Sequence, residues 1–259
     1  MKIKFLLALI IISFVATSFI YLRKADPNKA SQEIKLTLCE ESTAFPKAQL
    51  AKFNFAVEGD SVAFNYELKD YVLGSQTPDA SSKGCANSAK GQHIHLILNN
   101  LPYEAWYLSS FKKKLAEGHY VALSFLSRSY HESIKKPEAF VVKQFNVGKN
   151  AGTVKDDINL KQPLLFYSRP KGEYVGNDTK KILLDFYVVN TALKPNGNKV
   201  RATINGKEFM IDQWKPYYIE GLPMGENTIK LELLDKMNKP AGTVAMFQSI
   251  ERKIVLKEK

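Results

Sequence analysis

The sequence lacks the motifs that mark several large classes of protein. It contains no G-x-S-x-G nucleophile elbow, no HExxH zinc-protease motif and no phosphate-binding P-loop. It also has no Arg-rich arm, helix-turn-helix or aromatic nucleic-acid motif. We therefore expect no nucleic-acid partner, we favour a protein that is not an enzyme, and we assign no catalytic residue.

Positive charge is in excess, but much of it lies outside the predicted folded part. The net charge is +11, of which residues 1–24 contribute +4, residues 25–150 contribute +2 and residues 151–259 contribute +5. The only basic run, Lys112 to Lys114, is typical of a solvated turn. The folded part is therefore only mildly cationic.

A long apolar run occurs once, between Phe5 and Leu22. Lys2 and Lys4 precede it and Arg23 and Lys24 follow it, which predicts an export signal within residues 1–24. Eighteen helical residues span about 27 Å, close to the thickness of the hydrocarbon core. We favour an uncleaved membrane anchor over a cleaved signal peptide, because the best cleavage candidate, Ala16 to Ser18, is poor. The remainder is then expected in the periplasm, either anchored to the inner membrane or secreted.

Helix-period stretches are scarce after residue 30, and short alternating runs rich in Val, Ile, Tyr and Phe dominate. Breaks by Gly, Pro or Asn every 8 to 12 residues are typical of all-β sandwiches. The expected fold is two tandem immunoglobulin-like β-sandwich domains after an N-terminal apolar helix. We place domain 1 at residues 30–149 and domain 2 at residues 161–259, separated by a polar, turn-rich segment.

The two domains are expected to be copies of one pattern. Val62 to Leu73 matches Ile182 to Leu193 without a gap, and Ile94 to Asn100 matches Val200 to Gly206. In the second copy, Asn205-Gly206 separates two alternating runs, which predicts a hairpin with a type I′ turn. Features that appear in one copy only are therefore candidates for function.

All four histidines, His93, His95, His119 and His131, fall in the first copy. The positions that match the first three hold Lys199, Arg201 and Glu226, so the sandwich itself does not require imidazole. His93 and His95 are two apart on a strand and share a face. Converging imidazoles would bind Zn²⁺ or Cu²⁺. Two alternatives stay open: chance histidines on the polar face of a half-exposed strand, or a site for an organic or peptide ligand.

The first copy also has a long Gly/Ser/Ala-rich loop, residues 74–92, where the second copy has a short turn. Such a loop is usually functional or disordered. It carries Cys85, one of only two cysteines. In an oxidising compartment Cys85 and Cys39 form a disulfide in one interpretation. In the other, Cys85 is a thiolate ligand beside the imidazoles.

A polar segment after the histidine strand offers groups that bind anions. Arg128, Ser129, Tyr130 and His131 supply a guanidinium, hydroxyls and an imidazole, and Lys135 and Lys136 follow. This set is suited to a phosphate or carboxylate. An ordinary polar strand end is the alternative.

Four stretches together resemble a group of exported bacterial proteins, some of which carry the label phosphopeptide-binding protein. They are GQHIHLILNNLPYEAW (91–106), FLSRSYHESIKKPEA (125–139), FYSRPKGEYVGNDTKKILLDFYVVN (166–190) and EGLPMGENTIKLEL (220–233). The similarity covers nearly the whole exported part, and it implies a phosphorylated or acidic peptide as ligand. We therefore expect an envelope-located binding protein, with a metal-binding protein or a structural component of an envelope complex as alternatives.

Overall fold

β-Strands make up most of the regular structure of the protein, as the sequence predicts. The computed structural model describes residues 33–149 and 158–259, so the predicted anchor or signal peptide lies outside the described residues. The strands are β1 Lys35–Leu38, β2 Gln49–Glu58, β3 Ser61–Lys69, β4 His93–Leu98, β5 Glu104–Trp106, β6 Ser110–Lys114, β7 Gly118–Ser127, β8 Phe140–Val147, β9 Leu164–Arg169, β10 Gly172–Val175, β11 Ile182–Val189, β12 Lys199–Ile204, β13 Lys207–Ile211, β14 Tyr217–Glu220, β15 Gly225–Leu234 and β16 Ser249–Lys257.

Single 3₁₀ turns are the only helices in the part of the chain that the structure describes. They span Ala80–Ser82, Pro137–Ala139, Gly176–Thr179 and Ala245–Phe247. Over the same residues, no helix has the length and apolar character needed to cross a membrane.

The strands form four sheets that pack as two sandwiches. In the first sandwich, sheet β2-β3-β6 faces sheet β5-β4-β7-β8. In the second, sheet β1-β14-β11-β9 faces sheet β10-β16-β15-β12-β13. Alternating side chains fill each core, with Phe64 and Ile94 in the first and Ile182 and Leu231 in the second. This period-2 burial is what the alternating sequence pattern predicts.

A third apolar core lies between the two sandwiches. Ile97 and Phe125 from β4 and β7 pack with Phe166 and Tyr187 from β9 and β11. Strands β4, β9 and β11 are consequently buried along their full length, because each contributes alternate side chains to two cores. The histidine strand β4 is therefore not half-exposed, and side chains on both of its faces are sealed from solvent.

The first strand does not join the sandwich that contains its neighbours in sequence. β1 pairs antiparallel with β14, so residues 35–38 belong to the second sandwich, although we expected them within domain 1 at residues 30–149. The described residues, 33–149 and 158–259, belong to one compact unit. Two separate domains, with a boundary before residue 161, therefore stay a prediction.

The predicted hairpin of the second copy is confirmed. β12 and β13 pair from Ile204 to Lys207 around Asn205-Gly206. Both central residues have positive φ, +47° and +85°, as a type I′ turn requires. Asn99 and Asn100 at the end of β4 also have positive φ, +48° and +57°.

Candidate metal centre

Three of the four histidines converge at the face of β4 that meets the second sandwich. His93 and His95 project from the same side of the pleat, as their spacing predicts. His131 comes from the loop after β7 and has a φ of +69°, in the left-handed region. Non-glycine residues rarely adopt that conformation, and His is among those that do so most often. The turn at His131 brings the third imidazole to the strand.

The ring nitrogens of these residues lie close enough to share one ion. His93 Nε2 is 2.8 Å from His95 Nε2 and 3.1 Å from His131 Nδ1. One ligand nitrogen from each residue lies within 4.8 Å of the other two. Zn–N bonds of about 2.0–2.1 Å at tetrahedral angles separate ligand nitrogens by about 3.4 Å. To hold one ion, the two short separations of 2.8 and 3.1 Å would have to widen by about 0.3–0.6 Å, and the widest separation, up to 4.8 Å, would have to shorten by about 1.4 Å.

Outer contacts orient two of the three rings. His93 Nδ1 is 2.8 Å from the carbonyl oxygen of Gly91, which only accepts, so Nδ1 carries the proton and Nε2 presents a lone pair to the cluster. His95 Nδ1 is 3.2 Å from Ser168 Oγ on β9. Such partners fix the tautomer and orientation of metal-binding histidines. The Ser168 contact crosses from one sandwich to the other.

The carbonyl that fixes His93 depends on a glycine. Gly91 has a φ of +80°, and a Cβ at this position would lie 2.4 Å from the backbone oxygen of Gly74. Any other residue would be strained and would clash with the backbone. The end of the long loop is therefore shaped to direct the Gly91 carbonyl at His93.

All three imidazoles are neutral over a wide pH range. Burial lowers the pKa of His93 to about 4, against the hydrogen bond to Gly91, and the charges of Arg169 and Lys171 lower it further. Burial is also the main reason that the pKa values of His95 and His131 lie well below the usual value of 6.5. Neutral imidazole is the form that binds metals.

Tyr103 closes the cluster on one side. Its ring stacks on the imidazole of His95, with centroids 3.6 Å apart and planes 11° apart. Its hydroxyl lies 3.2 Å from His131 Nδ1. We did not predict a role for Tyr103 or Ser168, because nothing in the local sequence indicates which side chains the tertiary fold brings to the histidines.

His119 does not join the cluster. It lies near the start of β7, where its ring nitrogens contact Asn146 Oδ1 at 2.8 Å and Gln144 Oε1 at 3.2 Å on β8. His93 pairs with Ser127 at the opposite end of β7. Eight residues along a strand correspond to about 26 Å, so the four-histidine site that we expected contains three histidines.

The residues of the expected anion-binding set are divided between the histidine cluster and the protein interior. Arg128 is buried and forms an ion pair of 3.0 Å with Glu132. Its guanidinium also donates to the backbone oxygens of Thr43 and Ser133. Ser129 and Tyr130 are buried and bonded to the long loop, Ser129 to Thr77 and Tyr130 to Asp79. Arg128, Ser129 and Tyr130 therefore bond other groups of the protein interior, and His131 belongs to the histidine cluster.

The two cysteines are free thiols in the structure, whereas one of our interpretations predicted a disulfide. They nevertheless share one small apolar cluster with Tyr130, Leu183 and Tyr218. Burial raises the pKa of Cys85 to about 11. A protonated thiol is a poor metal ligand, and the group of converging ligand atoms contains the three histidines without Cys85. The disulfide stays a prediction.

Comparisons with known proteins give structural matches only. No family model and no curated protein matches the chain. Fibronectin(III)-like modules of Clostridium thermocellum CbhA match at 16% identity and a TM-score of 0.29, covering 37% of this chain and 98% of theirs. The tandem V-type regions of VCBP3, a v-region-containing chitin-binding protein, match at 8% identity and a TM-score of 0.24, covering 86% and 99%.

SGBP-B of the mixed-linkage glucan utilization locus of Bacteroides ovatus, solved with a mixed-linkage heptasaccharide, matches at 7% identity and a TM-score of 0.21, covering 87% of this chain and 70% of that one. Similarities this low carry no argument about what this chain binds. The all-β class rests instead on the strands and sheets described above.

Proposed function

We propose that the protein binds a divalent transition-metal ion, Cu²⁺ or Zn²⁺, through His93, His95 and His131. The observation that carries this proposal is the convergence of three neutral ring nitrogens, two of them on rings oriented from outside the cluster. An all-nitrogen ligand set suits both ions, and the general affinity order places Cu²⁺ above Zn²⁺. Three protein ligands leave a coordination position open.

The position of the cluster indicates what the ion would do for the fold. His93 and His95 belong to the first sandwich, but Ser168 supports His95 from the second. The loop that carries His131 is also attached to the second sandwich, because Ser133 and Lys135 bind the buried carboxylate of Asp185. A metal at this place would link strand, loop and neighbouring sheet, and so would stabilise the folded state.

The direct test is metal binding by the full chain purified without a His tag. We expect calorimetry to give one Cu²⁺ or Zn²⁺ per chain, and His95→Ala to reduce the affinity at least about 100-fold, since it removes one of three ligands. His119→Ala is the matched control, because His119 lies at the far end of β7. The electron paramagnetic resonance spectrum of the Cu²⁺ form should show nitrogen ligands.

Two results would overturn the proposal. One is the absence of stoichiometric metal in the wild-type protein, and the other is equal affinity in the His95 and His119 variants. A Cys39→Ser/Cys85→Ser double variant separates binding by thiols from binding by imidazoles. Retained stoichiometry in that variant would support the histidine centre.

We propose peptide binding as a second function because the structure has a cleft of about 420 Å³ beside the Arg128 to Lys136 segment. Phe45, Ile134 and Trp214 give it an apolar lining, and Lys136 and Lys215 lie at its wall. The resemblance to proteins labelled phosphopeptide-binding supports an acidic peptide as occupant. We expect Lys136→Ala/Lys215→Ala to weaken capture of a phosphorylated peptide, with Lys253→Ala as control. Equal capture by both would reject the cleft.

A further inference from the structure

Three cations beside the metal centre have no carboxylate partner. Across the ion pairs of residues 33–149 and 158–259, none includes Arg169, Lys171 or Arg252. Arg252 is satisfied by backbone oxygens, including that of Ser168. Arg169 is only 6% exposed, and its buried Nε has no hydrogen-bond partner in the described part of the chain. A buried guanidinium in this condition is unusual.

The ring of Tyr103 contacts the histidines and also lies near Arg169 and Lys171. Its ring stacks on His95 and its hydroxyl lies beside His131. Lys171 Nζ lies 3.7 Å from the centroid of the same ring, and Arg169 Cζ lies 5.9 Å from it. His95 at 3.6 Å and Lys171 at 3.7 Å lie on opposite faces of this ring, and the charges of Arg169 and Lys171 still reach the histidines, because both lower the pKa of His93.

The nearby acidic groups do not compensate these charges. Asp185 is bound by Lys135 and Ser133, and Glu104 pairs with Lys113 at 2.6 Å. Burial raises the pKa of Tyr103, so the phenol next to the cations is uncharged. Burial, together with the charges of Arg169 and Arg252, lowers the pKa of Lys171 to about 8. Asp185 raises the pKa of Arg169 and Glu104 opposes the lowering of the Lys171 pKa, but neither carboxylate forms an ion pair with these cations, so the region keeps an excess of positive charge.

A divalent metal would add to this positive charge. Burial of unpaired charge is costly, and like charges repel more strongly away from water. An anion bound with the metal would reduce both the cost of the buried unpaired charge and the repulsion between the metal and the cations. Three histidines leave a coordination position for it, and a guanidinium presents donors whose spacing matches the oxygens of a carboxylate or phosphate.

We propose that the metal centre takes a small oxyanion, a carboxylate or a phosphate, as an additional ligand, and that Arg169 binds a second oxygen of that anion. Lys171 contributes positive charge at longer range. The inference rests on the proposed metal centre and names the class of ligand that the centre receives. In this arrangement the anion, rather than water alone, completes the coordination of the ion.

The test uses the full chain loaded with Cu²⁺ in a non-coordinating buffer. Inorganic phosphate and acetate are titrated separately, and binding is followed by the visible and electron paramagnetic resonance spectra of the copper. We expect at least one of them to bind at millimolar concentration. Arg169→Gln should weaken its binding by about tenfold or more, because it removes a charge-assisted hydrogen bond. The anion that binds more tightly distinguishes phosphate from carboxylate.

Two further variants make the result decisive. Arg201→Gln is the control. Arg201 on β12 pairs with Glu232 on β15, and both strands belong to the sheet of the second sandwich that does not contain β9. It should leave anion affinity unchanged. If Arg169→Gln does not fold, Lys171→Gln tests whether these cations bind the anion. Lys171 is half-buried, so its replacement is better tolerated than that of the buried Arg169. We expect Lys171→Gln to weaken anion binding severalfold, by loss of one nearby charge.

The failures of the two proposals are distinguishable. Absence of copper binding rejects the metal centre and this inference with it. Copper binding without a spectral response to either anion rejects the oxyanion alone. Equal anion affinity in the wild-type, the Lys171→Gln protein and any folded Arg169→Gln protein also rejects it.

Discussion

His93 and His95 hold their Nε2 atoms 2.8 Å apart, while their Nδ1 atoms contact different parts of the molecule. His93 is fixed by the carbonyl of Gly91 on its own chain segment, and His95 by the hydroxyl of Ser168 on β9. The first contact is local and the second is tertiary. The geometry of the pair therefore depends on how the sheet that contains β4 packs on the sheet that contains β9.

This dependence predicts the effect of removing Ser168. Ser168→Ala should lower metal affinity by about tenfold, the lower end of the range for loss of an outer partner of a metal-binding histidine. Ser124→Ala is a matched control, because Ser124 is equally buried but bonds Tyr66 inside the first sandwich. Calorimetry of both variants measures the difference, and similar losses in the two would mean that His95 does not need Ser168.

The metal-free protein should lose stability as pH falls from about 6.5 towards 4. Burial holds the pKa of His93 at about 4 in the folded chain, whereas an unfolded histidine has a pKa of about 6.5. The unfolded state therefore binds more protons in this window, and the free energy of unfolding rises with pH. For His93 alone the change is about 3 kcal/mol.

Urea unfolding of chelator-treated protein at several pH values between 4 and 7.5 measures this change. His95→Leu should reduce the slope, because it removes one group that takes up a proton on unfolding. A stability that stays constant across the window would contradict the burial of neutral imidazoles.

Arg128→Ala should destabilise the fold by about 3–5 kcal/mol, because it leaves the buried carboxylate of Glu132 without its cation. Lys52→Ala breaks the exposed pair with Glu67 and should lower the stability far less, because solvent screens that pair. Chemical denaturation of the two variants gives the comparison. Equal stabilities would show that the Arg128 pair is not structural, and would revive its role as a ligand-binding group.

Cys39 and Cys85 should form a disulfide when the protein folds in an oxidising environment. Cys39 packs against the apolar cluster that contains Cys85 and Tyr218, and a disulfide requires the two Cα atoms to lie within about 7 Å. Intact mass measurement of protein isolated from such a compartment should show the loss of two hydrogens relative to the reduced form. Two free thiols in the isolated folded protein would contradict the pairing.

Parts of the histidine cluster could be predicted from the sequence, because they depend on local geometry. The period of a strand places His93 and His95 on one face wherever that strand lies. Comparison of the two copies also indicated that these histidines are not needed by a sandwich, since Lys199 and Arg201 occupy the matching positions on β12. In the structure those two residues are partly exposed, whereas His93 and His95 are buried.

Other parts could not be predicted, because they depend on which elements meet. His131 joins the cluster through a turn with positive φ, and His119 is excluded because antiparallel pairing sends it to the far end of β7. In sequence the two are equally plausible ligands. Arg128 likewise looks available for a ligand, and only the packing of Glu132 and Thr43 around it assigns it to the interior.

The sequence by itself determined the all-β class, the period-2 burial, the type I′ hairpin at Asn205-Gly206 and the shared face of His93 and His95. These features depend on residue type and on neighbours within a few positions. The tertiary structure decided that β1 joins the second sandwich, that β4 is covered on both faces, and that Ser168, Tyr103 and Arg169 surround the histidines. The physical reason is that such contacts are fixed by the packing of sheets distant in sequence, which no local pattern encodes.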